Sequence, residues 1–166
     1  MQDDTILLES DLIYDPKLIK DVVNDPRRDL AVIAKYKSWM DGTVVTCNNF
    51  DAKQHGGPIN AFIRKQDMNP AALDTYYKTV NIYKFSPDFC RKTYFPMLED
   101  YMRRYGVKNY YETPLGDVVM QSKSKLFGYE IGNLPWYEID NAQDLATANK
   151  IFGNHKIVDE GMSREM

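Results

Sequence analysis

Asp140 stands where a strand gives way to a helix in Trp136-Tyr137-Glu138-Ile139-Asp140-Asn141-Ala142-Gln143-Asp144-Leu145, and Asp11 has a matching place after Thr5-Ile6-Leu7-Leu8-Glu9-Ser10. Trp136 and Ile139 have strand character and Asn141 is a good helix cap, which leaves Asp140 projecting from the junction. α/β proteins concentrate their chemistry at such strand ends. Two carboxylates from distant stretches of chain can converge there on one divalent metal. Such a cation takes oxygen ligands and can be held by one or two carboxylates. Simpler uses compete: Asp11 as a solvated acid or the cap of a helix from about Pro16, and Asp140 as the cap of a helix from about Ala142.

Other side chains suit a second substrate. Trp39, Tyr77, Tyr83, Tyr111 and Trp136 are enough aromatics to build part of a cage for an ammonium group, with Asp41 or Glu112 as countercharge. Aromatics beside apolar strands usually belong to the core, so Trp39, Asp41 and Glu112 are the contacts retained. Lys78 precedes a strand and can reach a phosphate as a point charge, although a lone lysine is more often solvated. Asn81 interrupts the apolar run Val80-Asn81-Ile82, and a buried amide needs partners. Neighbouring backbone is the expected source, with an orientation toward the site as the alternative. His55 and His155 receive no role.

These residues need a sheet and helices to position them. The pattern predicts strands over Thr5 to Glu9, Leu30 to Tyr36, Thr43 to Cys47, Ile59 to Ile63, Thr79 to Phe85 and Leu126 to Ile131. It predicts helices over about Pro16 to Asn24, Pro87 to Tyr105, Tyr110 to Ser122 and Ala142 to Phe152. Leu18, Ile19, Val22 and Val23 form an apolar stripe on the first helix, and Phe89, Met97, Leu98 and Tyr101 one on the second. Asp41-Gly42 and His55-Gly56-Gly57-Pro58 read as turns, which makes the middle of the chain a β-hairpin region. Residues 1 to 153 form one unit, and 154 to 166 read as a polar, frayed tail.

Composition narrows the class. A chain of 166 residues is one domain by size and can bury roughly two-thirds of its unfolded surface. Its net charge of -3 offers no basic footprint for nucleic acid. Cys47 and Cys90 lack short metal-ligand spacing, and no long apolar run or leader is evident, so a reducing cytoplasm without membrane contact is the expected setting.

Four segments together resemble a known family: Glu9-Ser10-Asp11-Leu12-Ile13-Tyr14-Asp15, Trp39-Met40-Asp41-Gly42-Thr43-Val44-Val45-Thr46, Tyr76-Tyr77-Lys78-Thr79-Val80-Asn81-Ile82-Tyr83-Lys84-Phe85-Ser86 and Trp136-Tyr137-Glu138-Ile139-Asp140. In this order they resemble the sugar-nucleotidyltransferase-like cytidylyltransferases that activate phosphocholine or 2-aminoethylphosphonate, including the domains found beside phosphoenolpyruvate mutase. The resemblance implies an α/β fold with a Rossmann-like mixed sheet flanked by helices. It also implies transfer of a nucleotidyl group, usually CMP from CTP, to a small phosphate or phosphonate with release of pyrophosphate. Asp11 and Asp140 match the family's Mg2+-binding aspartates.

Family members also carry a glycine-rich loop with Arg and Lys that cradles the nucleotide, and nothing in this chain corresponds. The pair Gly56-Gly57 is followed by Pro58 and a strand rather than by a helix N-terminus. The expectation is therefore the C-terminal part of such an enzyme, with the N-terminal nucleotide-binding portion missing and little activity alone. It would self-associate or be completed by an N-terminal half. Two other classes remain open: a non-catalytic interaction or dimerisation fragment, and a metal-dependent glycosyltransferase, which usually carries a more closely spaced aspartate pair.

Overall fold

The computed structural model describes residues 3–121 and 125–153. In chain order the strands are β1 (Thr5–Leu8), β2 (Leu12–Tyr14), β3 (Leu30–Lys35), β4 (Thr43–Cys47), β5 (Gly56–Arg64), β6 (Tyr77–Phe85), β7 (Phe127–Glu130) and β8 (Trp136–Glu138). The α-helices are α1 (Pro16–Asn24), α2 (Pro87–Phe89), α3 (Phe95–Tyr105), α4 (Glu112–Met120) and α5 (Ala142–Phe152). Six strands form one mixed sheet in the order β1-β6-β3-β7-β5-β4, and β2 with β8 forms a separate antiparallel ribbon.

β3 is the spine of the sheet because its sequence can be buried on both faces. Leu30, Val32 and Ala34 pack with Leu18 and Val22 of α1. Ala31 and Ile33 point the other way, into a core with Phe89, Cys90, Tyr94, Leu115 and Val118. An unbroken apolar run suits such a strand, whereas a strict alternation would suit a sheet with one wet face. α1 begins where Asp15 accepts a hydrogen bond from the Lys17 N–H at 2.8 Å, with Pro16 in the first turn.

The edge of β6 away from β3 is shared. β1 pairs with Ile82 to Phe85 and β4 with Tyr77 and Lys78, so the segment between them, Thr79 to Asn81, has no strand beside it there. Asn81 in that opening, and Lys78 just before it, line the cavity described below. The β4–β6 pairing also closes the strands into a ring through β3, β7 and β5.

Several sequence expectations need correction. Gly56, Gly57 and Pro58 do not form a turn; they open β5 and pair with Tyr129, Gly128 and Phe127 of β7. The turn falls at His55, which takes the left-handed conformation at φ 51°. The helix predicted from Pro87 to Tyr105 is α2 and α3 joined by a π-helical turn over Cys90–Tyr94. Pro96 supplies the cause, since it lacks an N–H and its ring displaces the carbonyl four residues earlier. The Phe95 N–H accordingly donates to the Cys90 carbonyl, five residues back. α4 covers less than the predicted Tyr110 to Ser122, and Ser122 and the predicted tail at 154–166 lie outside the described residues. Cys47 and Cys90 are both free, and no helix among the described residues is long and apolar enough to cross a membrane.

Candidate functional site

The β2–β8 ribbon brings the two candidate aspartates to one place. Leu12 pairs with Glu138 and Ile13 with Tyr137, and the Ile139 N–H extends the ladder by donating to the Asp11 carbonyl at 2.9 Å. Asp11 enters β2 just as Asp140 leaves β8, and both line a cavity of about 760 Å3 together with Asp41, Lys78 and Glu112. Neither aspartate is consumed by capping. Asp15 caps α1, and Asn141 caps α5 by accepting from the Gln143 and Asp144 N–H groups at 2.8 and 3.1 Å.

Trp39 is placed slightly apart. It is exposed, stacks on Tyr137 with ring centroids 5.7 Å apart, and lines a smaller adjoining cavity of about 160 Å3 that shares Asp41, Lys78 and Asp140 with the larger one. Of the other aromatics considered, Tyr83 is fully buried in the core and Tyr77 stacks on Phe50 at 5.1 Å.

Lys78 is not the solvated lysine that its isolation in sequence suggests. It lies within β6, is 2% exposed, donates from Nζ to the Thr79 carbonyl at 2.8 Å and sits 3.7 Å from Glu138 Oε2. Gly42 makes room for it: a Cβ there would lie 3.2 Å from Lys78 Nζ, at a φ of +87° that side chains rarely adopt. Glu112 is also buried, in the first turn of α4, where it accepts from the Tyr83 hydroxyl and complements the helix N-terminus.

Asn81 joins these parts. It sits in a bulge, since β3 and β6 pair as Ala31 with Tyr83 and Ile33 with Thr79, and its φ of 59° is left-handed. The expectation that backbone would satisfy its amide is not met. Nδ2 donates to Glu9 Oε2 at 2.8 Å and to Glu138 Oε1 at 3.0 Å, while the Thr79 hydroxyl lies 3.2 Å from Oδ1. Glu9, Glu138 and Asn81 all line the larger cavity. Sequence reasoning did not select the two glutamates. The signal available was that each precedes its aspartate by two residues.

The cavity is crowded with acids, and their titration reflects it. Burial raises the Glu9 carboxyl; the nearby Tyr111 hydroxyl opposes this, and the charges of Asp11 and Glu112 add to the rise. The Tyr111 oxygen is buried and has no hydrogen bond of proper geometry among the described residues. Burial also raises Glu138, opposed by Lys78 and reinforced by Asp140. Asp41 is held low by the Gly42 N–H at 2.8 Å, against its partial burial, with help from Lys65 at 3.3 Å.

Asp11 and Asp140 carry oxygen donors of the kind that a hard divalent cation takes. Among the described residues no three His, Cys, Asp or Glu side chains are grouped as a protein-only cage. That is compatible with magnesium, which completes its shell with water and substrate oxygens.

The fold is that of the nucleotide-diphospho-sugar transferases. Similar structures include the inositol-1-phosphate CTP transferase from T. maritima, with a TM-score of 0.65 and 17% identity over 97% of this chain and 58% of that one. A UTP-bound UGPase from Acinetobacter baumannii aligns with a TM-score of 0.64 and 11% identity over 94% of this chain and 53% of that one. In sequence, the chain is 24% identical over 156 residues to the CMP-5'-(3-aminopropyl)phosphonate synthase of Streptomyces rubellomurinus, covering 90% of this chain and 23% of that protein. The chain therefore spans little more than half of the solved structures it resembles and under a quarter of the curated relative. No family model matches.

Proposed function

We propose that this chain carries the metal side and the acceptor side of a nucleotidyltransferase that moves CMP from CTP to a small phosphate or phosphonate, such as phosphocholine or 2-aminoethylphosphonate. The observation that carries the reading is the β2–β8 ribbon, which delivers Asp11 and Asp140 to one cavity beside the buried ammonium of Lys78. The similarity in sequence to a CMP-phosphonate synthase supports the same class.

In this reading the acceptor's anionic oxygen attacks the α-phosphorus of CTP. A new P–O bond forms, the α–β bridge bond breaks, and pyrophosphate leaves with the bonding electrons. The nucleophile is already deprotonated, so the site has no proton to remove. Its task is to bring two anions together and hold them in line. Mg2+, when bound, neutralises charge on the reacting phosphates. Asp11 and Asp140 would hold it, Lys78 would meet a phosphate oxygen, and Glu112 and Asp41, with Trp39 in the adjoining cavity, would face the acceptor's cationic end.

The described residues contain no glycine-rich loop ahead of a helix, so we propose that the nucleotide's phosphates are cradled by a further segment. Extending this chain with an N-terminal segment that carries a glycine-rich nucleotide loop, and supplying CTP, Mg2+ and 2-aminoethylphosphonate or phosphocholine, is expected to release pyrophosphate. Release should require both the acceptor and Asp11. Silence with every nucleoside triphosphate, from a fused protein shown to be folded, would overturn the reading.

A further inference from the structure

Glu9 lies two residues before Asp11, and Glu138 two residues before Asp140. One amide holds both glutamates. We propose that Asn81 is a positioning residue that sets where Asp11 and Asp140 lie over the main sheet, by tying the chain just ahead of each aspartate to β6. This role rests on the reading of the two aspartates as cation ligands.

The ribbon alone does not fix their place. The hydrogen bond from the Ile139 N–H to the Asp11 carbonyl, at 2.9 Å, ties the two backbones to each other but not to the six-stranded sheet. Two side chains of β6 tie the ribbon to that sheet: Lys78, with Nζ 3.7 Å from Glu138 Oε2, and Asn81, whose Nδ2 has two hydrogens and uses one on each glutamate, at 2.8 and 3.0 Å. Its backbone carbonyl also accepts from the Glu9 N–H at 3.2 Å. Two residues of chain reach at most about 7 Å, so anchoring each glutamate confines the aspartate beyond it.

The local structure is arranged around this amide. Asn81 is 6% exposed and left-handed, a conformation that asparagine tolerates better than most residues. The Thr79 hydroxyl lies 3.2 Å from Oδ1 and 3.2 Å from the Thr43 carbonyl, and its one hydrogen is shared between them. Turned over, the amide would point its oxygen at two carboxylates that offer no proton. Elsewhere β6 keeps its register with β1, so the bulge is confined to the stretch that bears this group.

Manganese titration followed by electron paramagnetic resonance tests the role, with thermal unfolding measured in parallel. Asn81→Gly keeps the left-handed backbone and deletes the amide. It is expected to weaken manganese binding about 10- to 100-fold, the usual loss when a group that orients a metal ligand is removed. Thr79→Val, which removes the hydroxyl shared between the Asn81 amide and the Thr43 carbonyl, should weaken binding by a smaller factor and serves if the glycine variant does not fold. Leu18→Ala, in the core against α1, is the control: it lowers the unfolding temperature and leaves the affinity of the folded protein unchanged. Affinities for Asn81→Gly and Thr79→Val within about twofold of the parent, or an equal loss in Leu18→Ala, would overturn the role. If the parent itself binds no manganese, the proposed function fails first and the role of Asn81 goes with it.

Discussion

Asp140→Ala is expected to abolish the heat of magnesium or manganese binding measured with a cytidine nucleotide, while leaving the fold intact. Losing one of two carboxylate ligands should cost more than the ~10- to 100-fold that follows loss of a group merely supporting a ligand. Stability should change by no more than about 0.5 kcal/mol, as for exposed side chains without structural partners. Asp140 is exposed, α5 is capped by Asn141, and the hydrogen bond from the Asp140 N–H to Asp144 Oδ2 at 3.2 Å uses only backbone at position 140. Unchanged heats in a folded Asp140→Ala protein would remove the metal from the proposed mechanism. A large loss of stability would mean that the aspartate serves the fold instead.

The second large effect falls on the sheet. Gly56→Ala should destabilise the protein by about 3 kcal/mol or more, a major share of the ~5–15 kcal/mol available to a typical domain. A Cβ at position 56 would stand 1.8 Å from the Gly128 carbonyl oxygen, at a φ of +149° that side chains avoid. The obstacle is backbone on both sides, and β5 cannot yield without leaving β7. Gly106→Ala provides the comparison. Gly106 has a φ of +76° and a ψ of −172°, a region essentially confined to glycine, but nothing within 4 Å of a Cβ, so only its backbone conformation is penalised, by about 1–3 kcal/mol. Urea unfolding of the two variants measures the difference. Equal losses would mean that the β5–β7 contact is looser than described.

The same glycine marks what the sequence conceals. Gly56-Gly57-Pro58 has the composition of a turn, and local chemistry cannot reveal that Gly56 is required because β7 passes within touching distance, and Gly57 because the chain at Asn48 and Asn49 does. Asn81 poses a similar problem. Its oddness among apolar neighbours is plain in the sequence, but its partners lie 72 and 57 positions away and become visible only when β1, β6 and β8 are assembled. Lys78 looks solvated until β4 closes over the start of β6. The π-helical turn was signalled by Pro96, inside an otherwise regular pattern.

The legible parts were those set by local physics. Burial on both faces gives β3 its unbroken apolar run, and Pro16 and Asn141 mark the starts of α1 and α5, although the cap of α1 is Asp15 and not Asp11. The strand-end positions of Asp11 and Asp140 follow from the same signals, and the structure places both on one cavity. Trp39 and Glu112 line different cavities, which sequence spacing could not separate.

The central claim is that Asp11 and Asp140 share one divalent cation. Crystals of this chain soaked in manganese and measured for anomalous scattering address it most directly. We expect one strong peak at about 2.1 Å from a carboxylate oxygen of each aspartate. A peak bound elsewhere, or by one of the two alone, would contradict the claim.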